Sequence, residues 1–170
     1  MADVLDAREM FRVFAEHSVD YIVVGGFAVQ THGFLRGTVD LDIIARPDLP
    51  NLTRLGEALV SMGARVYRTA APVNVTDPHV FRRAGTVPLM TDHGRLDVLN
   101  LASTSGVPSD YSVLRGRAIE VPVDGITLAI VGLDDLIRMK RAAGREQDQA
   151  DIRALTALDE DLAEEAREST

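Results

Sequence analysis

The chain has 170 residues, 46% hydrophobic and 26% charged, the balance of a globular domain long enough to bury a real core. No apolar run approaches a membrane span, and there are no cysteines, which excludes disulfides, zinc fingers, iron–sulfur sites and thiol catalysis. Net charge is −8, of which −5 lies in residues 159–170 with six acids and one arginine, so that the first 158 residues carry only −3. We therefore expect one domain over 1–158 and a solvated, frayed acidic tail over 159–170. The N-terminus lacks the layout of a secretory signal, and a cytoplasmic protein with no membrane partner is the default. The acidity does not exclude a nucleic-acid partner, because the body itself is only mildly charged. Of 18 basic residues, 17 are arginine; the one lysine is Lys140.

In chain order, Val4, Ala7, Phe11 and Phe14 recur at helical spacing and predict a helix over Asp3 to Glu16. Tyr21 to Val24 is a β-branched run closed by Gly25-Gly26 and reads as a buried strand. Phe27 to His32 reads as a short helix ended by Gly33. Thr38 to Ile44 is a second strand, with Val39, Leu41 and Ile43 on one face and Thr38, Asp40 and Asp42 on the other. Leu49, Leu52, Leu55, Leu59 and Met62 mark a third helix stopped by Gly63. Strands are expected over Arg65–Arg68, His79–Arg82, Val87–Met90 and Arg95–Leu99, with loops at 70–78 and 102–109. Ala118–Val121 and Thr127–Val131 read as a hairpin through Asp124-Gly125. Helices follow over Leu133–Ala143 and Glu146–Leu158. The order is that of an α+β fold, a mixed sheet flanked by helices.

The chemistry concentrates in Gly25-Gly26 and Asp40-Leu41-Asp42. Two carboxylates at i and i+2 project from the same strand face and repel unless a proton or a cation intervenes. Hard divalent ions such as Mg²⁺ take oxygen ligands and commonly share substrate phosphate. Asp97 is the lone acid in a second apolar strand, flanked by Leu96 and Val98, and three such carboxylates suit one or two Mg²⁺ ions. Gly25-Gly26 joins a strand to a helix, where a backbone without side chains can approach a phosphate closely. Read alone, Asp40-x-Asp42 is also an ordinary half-exposed strand face, and Gly-Gly a tight turn. Leu133, Leu136 and Ile137 form an inward stripe whose next position is Lys140, a costly place for an ammonium without an anionic partner. The four histidines show no metal-ligand spacing, and Arg82-Arg83, read on a hairpin, is an ordinary solvated pair.

The order strand, Val24-Gly25-Gly26, helix, then Asp40-Leu41-Asp42-Ile43 resembles the nucleotidyltransferase superfamily, which shares the DNA polymerase β fold. The later run Lys140-Arg141-Ala142-Ala143-Gly144-Arg145-x-x-Asp148-x-x-Asp151 is similar to the late motif of the AbiEii and MenT group of toxin-like enzymes. Arg36-x-Thr38-x-Asp40-x-Asp42 resembles the form of that branch. The resemblance implies a nucleotidyltransferase fold with C-terminal helices and metal held by Asp40, Asp42 and Asp97. It implies nucleotide contacts from Gly25, Gly26, Arg36, Thr38, Lys140 and Asp148, with Asp40, Asp42, Asp97 and Lys140 as the catalytic group. The implied partners are an NTP, a tRNA or small-molecule acceptor such as an aminoglycoside, and an antitoxin protein. Two departures stand out: Gly26 replaces the Ser of many relatives, and Gln147 stands where relatives often carry Lys. A module that keeps the fold and binds a nucleotide or protein without catalysis is the rival.

Overall fold

The computed structural model describes residues 4–67 and 73–168. Its sheet has seven strands: β1 Tyr21–Val24, β2 Asp40–Ala45, β3 Arg65–Val66, β4 Thr86–Thr91, β5 Gly94–Leu99, β6 Ile119–Val123 and β7 Ile126–Ile130. They lie in the order β3-β4-β5-β2-β1-β7-β6. β2 and β5 run parallel, as do β1 and β7, while β1 is antiparallel to β2, β3 is antiparallel to β4 across a long connection, and β4–β5 and β6–β7 pair as hairpins. All four residues of β1 are buried, as befits a strand covered on both faces. Leu41 and Ile43 are fully buried on one face of β2, which leaves Asp40 and Asp42 on the other.

The helices are α1 Ala7–Glu16, α2 Gly25–Thr31, α3 Leu49–Ser61, α4 Val80–Arg83, α5 Tyr111–Arg117, α6 Leu133–Ala143 and α7 Glu146–Glu168, with one 3₁₀ turn at Leu101–Ser103. α1 starts where the Asp6 carboxylate accepts the Glu9 N–H, and it buries Ala7, Met10, Phe11, Val13 and Phe14. α3 is capped by Asp48 in the same way, with Pro50 in its first turn. Its fully buried Asn51 receives the Asp20 N–H and donates to the carbonyls of Asp20 and Arg46, tying the helix to the start of β1. α2 packs on β1 and β2 and touches α6, and α6 lies along α7.

Several expectations change. Val4 lies outside α1 and is exposed, because the Asp6 cap opens the helix after it; Asp3 lies outside the described residues. α2 begins at Gly25 itself, two residues before Phe27. Val39 precedes β2 and is exposed rather than inward. β3 ends at Val66, and Arg68 lies outside the described residues. The strand expected over His79–Arg82 is the single helical turn α4, set up by Asp77 accepting the His79 N–H, so Arg82 and Arg83 sit on a helix and not on a hairpin. α5 was not legible: its Asp110 cap sits at the end of a polar stretch that reads as loop. The Asp124-Gly125 turn has both residues at positive φ, the requirement of a type I′ hairpin.

α7 runs through the acidic segment to Glu168, but its last buried residue is Leu155, and every described residue from Asp159 on is exposed. Removing residues 160–170 deletes charge without deleting core. The expected result is an unchanged Tm in a thermal melt of the shortened chain; a drop of several degrees would show that this last stretch packs.

Candidate active site

The site lies where β1, β2 and β5 meet α2, α6 and α7. Parallel pairing places Asp42 directly opposite Asp97, and antiparallel pairing places Asp42 opposite Val24. The chain turns out of β1 at Gly25, with φ +65°, and a Cβ there would lie 2.0 Å from the Asp42 Oδ2. Only glycine meets both conditions, so the first glycine exists to let the backbone pass the carboxylate. A Cβ on Gly26 would lie 2.7 Å from the Thr38 Oγ1 and 3.1 Å from an Arg36 terminal nitrogen. Gly26 therefore makes room for Thr38, whose hydroxyl already stands beside this turn and donates to the Asp40 carbonyl at 3.0 Å. A serine at 26 would collide with it.

The carboxylates are crowded. Burial, then the charges of Asp40 and Asp97, push the Asp42 carboxyl up to about 7, against an opposing pull from Arg145 and Lys140. Among the described residues, no three His, Asp or Glu side chains close in as a preformed metal cage. The donor set nonetheless fits a hard divalent ion: Mg²⁺ characteristically takes one or two carboxylates and completes its shell with water and substrate phosphate. Asp40 and Asp42 supply such a pair, and a cation there relieves the repulsion that adds to burial in raising the Asp42 pKa.

Facing them is an alternating chain of charges. Lys140, with a side chain only 6% exposed, places its Nζ 2.8 Å from Asp151 and 3.2 Å from Asp148. Arg36 grips Asp151 through two nitrogens at 2.8 and 2.9 Å, and its third donates to the Gly37 carbonyl. Gln147 donates to Asp151 at 3.0 Å, and Arg145 donates its Nε to Asp148 at 2.8 Å. Burial acts to raise both Asp148 and Asp151, but these hydrogen bonds and cations win and hold both below the ordinary carboxylate range.

Three expectations are refined here. Lys140 is inward but not unpaired. Arg36 spends its fork on Asp151, straps the segment before β2 to α7, and has no nitrogen left without a partner, while it also lines the cleft. Asp148 holds Lys140 and Arg145 and lines both faces of the cleft. Gln147 supports the same acid that a lysine there would have charge-paired. Sequence reasoning missed Arg145. Its side chain is largely exposed, is anchored by Asp148, and adds positive potential at Asp42. The available signal was Gly144, which caps α6 at φ +66° and turns the chain so that Arg145 re-enters the cleft three residues before Asp148.

Two cavities flank this group, sharing Gly25, Asp42, Lys140, Arg145 and Asp148. One, of about 270 Å³, also reaches Gly26, Thr38, Asp40 and Asp97. The other, of about 360 Å³, runs between the sheet and α6.

A paired-carboxylate strand beside a glycine turn and a buried lysine defines the nucleotidyltransferase class, and the comparisons agree. Residues 5–163 match the family described as nucleotidyltransferase of unknown function, DUF6036; the chain belongs to that family and is a nucleotidyltransferase. The fold is similar to that of the lincosamide antibiotic adenylyltransferase LnuA in its lincomycin-bound form, with TM-score 0.62 and 17% identity over 92% of this chain and 99% of that one. It is also similar to an antigenic nucleotidyltransferase-like protein from Paracoccidioides brasiliensis, with TM-score 0.56 and 16% identity over 91% of this chain and 77% of that one. No curated protein matches the sequence. Among the described residues, no helix is long and apolar enough to cross a membrane.

The raised Asp42 pKa carries a stability consequence. Between the ordinary carboxylate range and about pH 7 the folded chain holds a proton that the unfolded chain has lost, so stability falls as pH rises through that window. Asp42→Asn removes the charge and keeps the shape. In metal-free buffer its Tm should exceed the parent's at pH 8, and the two should converge toward pH 5. Parallel Tm curves across that range would contradict the crowding of the three acids.

Proposed function

We propose that the protein transfers a nucleotide from an NTP to an acceptor hydroxyl in a Mg²⁺-dependent reaction. The observation that carries this reading is the opposition of Asp42 and Asp97 on paired strands, with Asp40 beside them and Lys140 across the cleft. Asp40 and Asp42 would hold the metal, assisted by Asp97. When bound, Mg²⁺ supplies positive charge to the phosphates at the reacting centre. The backbone at Gly25-Gly26 and the Thr38 hydroxyl receive phosphate oxygens, while Lys140 and Arg145 neutralise phosphate charge. The acceptor oxygen bonds to the α-phosphorus, the bond to the leaving pyrophosphate breaks, and Asp97 takes the hydroxyl proton. Arg36 and Asp151 act as positioning residues, locking Thr38 and Lys140 in place. We place this chemistry in a single domain over 1–158.

For the acceptor, a compact hydroxyl-bearing molecule is supported by the small cavities and by a fold shared with a lincosamide adenylyltransferase. The second reading is a tRNA 3′ end, modified by a toxin that an antitoxin protein restrains; the late motif from Lys140 to Asp151 favours it. A binding module without catalysis would have no need of three carboxylates aimed at one cleft.

The test is transfer of label from each NTP, with Mg²⁺, to total tRNA or to a panel of lincosamides and aminoglycosides. The parent should label one class of acceptor and lose that activity on chelation. Asp40→Asn with Asp42→Asn should bring it below detection while the circular dichroism spectrum stays that of the parent. Parent-level transfer by the double variant would reject the site.

A further inference from the structure

The strands that carry the acids extend well beyond the cleft. Along β4 and β5 every second residue is buried: Val87, Leu89, Leu96 and Val98 belong to the core, while Pro88, Met90, Arg95 and Asp97 stand half-buried on the opposite face. Residues paired across strands share a face. Asp40, Arg95, Met90 and Arg65 therefore form one row across β2, β5, β4 and β3, and Asp42, Asp97 and Pro88 form the next. Tyr67 follows β3 and donates its N–H to the Pro88 carbonyl at 3.2 Å, which continues the second row. The site described above uses only the inner end of these rows. The outer end, made by Arg65, Tyr67, Met90 and Arg95, lines neither of its cavities.

The charge of this outer face is unspent. Arg95 stands opposite Asp40 in register, yet its guanidinium carbon lies toward β3, over the Tyr67 ring and 6.0 Å from its centroid. Among the described residues neither Arg95 nor Arg65 has a carboxylate partner, whereas Arg36, Arg46 and Arg145 each have one. Two such cations beside an aromatic ring suit single-stranded nucleic acid, whose bases stack on rings and whose phosphates sit on guanidinium groups. A polycationic acceptor would meet two like charges here, and a compact neutral one would leave them idle. Placement agrees: Arg95 is two residues along β5 from Asp97, about 7 Å, so a strand held on Arg95 can end at the candidate base. Resting on the transfer reading above, we propose that this outer face is the acceptor platform and that the acceptor is the 3′ end of a single-stranded RNA, the commonest free single-stranded end in a cell. The Arg95 guanidinium takes the phosphate behind the terminal ribose, Tyr67 carries a base, and Arg65 takes a phosphate further out. The terminal oxygen bonds to the α-phosphorus of the NTP, its proton passes to Asp97, and pyrophosphate leaves. Arg65, Tyr67 and Arg95 are then specificity-determining residues that touch the acceptor and not the NTP.

The test reads acceptor and NTP separately. Transfer of label to a short single-stranded RNA of mixed sequence gives a KM for each substrate, in the parent and in Arg95→Gln, Arg65→Gln and Tyr67→Leu. Anisotropy of the same RNA, tagged with fluorescein, gives its affinity against salt. The arginines are exposed or half-exposed, and leucine keeps apolar bulk where the ring stood, so the circular dichroism spectrum should stay that of the parent. We expect each variant to raise the KM for RNA roughly fivefold or more while the KM for NTP stays within twofold of the parent. Each arginine variant should also reduce the slope of log affinity against log salt by about 0.7, and Tyr67→Leu should leave it unchanged. An unchanged KM for RNA in both Arg95→Gln and Tyr67→Leu overturns the platform. So does a parent that labels only a lincosamide or an aminoglycoside, or one that labels single-stranded DNA of the same sequence as well as RNA; each of these leaves the transfer reading standing. Equal rises in both KM values would also overturn it, by showing a general disturbance of the cleft. A parent that labels no acceptor at all sinks the transfer reading, and this inference with it, a result distinct from the others.

Discussion

The carboxylate of Asp151 is the constraint on which the rest of the site depends. It is fully buried, and a buried charge survives only with partners. It has three: the Arg36 fork, the Lys140 ammonium and the Gln147 amide. Each comes from a different part of the chain, so one oxygen pair on α7 fixes the segment before β2 and the inner end of α6 together. Asp148, one turn earlier, repeats the device with Lys140 and Arg145. The result is an ordered row of cations set against Asp40, Asp42 and Asp97 before any substrate arrives. Preorganised charge of this kind costs no rearrangement during reaction, which is why phosphoryl chemistry favours it.

The carboxylate side is built in the opposite manner, from tension rather than pairing. Asp42 is pushed toward neutrality by burial and two neighbouring acids, and the backbone at Gly25 crowds against it. Such a site is less stable empty than filled by a cation. The glycine pair divides the work: Gly25 accommodates Asp42, and Gly26 accommodates Thr38 and Arg36. Thr38 puts its hydroxyl where any side chain at position 26 would otherwise enter.

The central sheet and its acids were legible because alternation along β2 and β5 is a local signal: a lone Asp among leucines and valines announces a polar face. The register that sets Asp42 against Asp97 was not legible, since strand partners are chosen by tertiary packing. α4 is only four residues long and follows an Asp77 turn, and α5 is only seven residues long and opens on its Asp110 cap, so neither shows an apolar stripe in the sequence. Lys140 was noticed for its oddity, but its partners one helix away were open alternatives until the turn at Gly144 was seen to fold α7 back on α6. The walls of the α6 cavity carry no sequence signature; alanine and serine are too common to mark a pocket.

The claim that most needs testing is that Lys140 is held by Asp148 and Asp151, and that this pairing underlies the cationic row. Denaturant unfolding of Lys140→Ala in metal-free, nucleotide-free buffer measures it directly. Removing the ammonium takes one cation from two buried acids that keep only Arg36, Gln147 and Arg145, so the account predicts a loss on the order of 1–3 kcal/mol. Stability equal to or above the parent's would contradict it and would mean that Lys140 stands unpaired in the cleft.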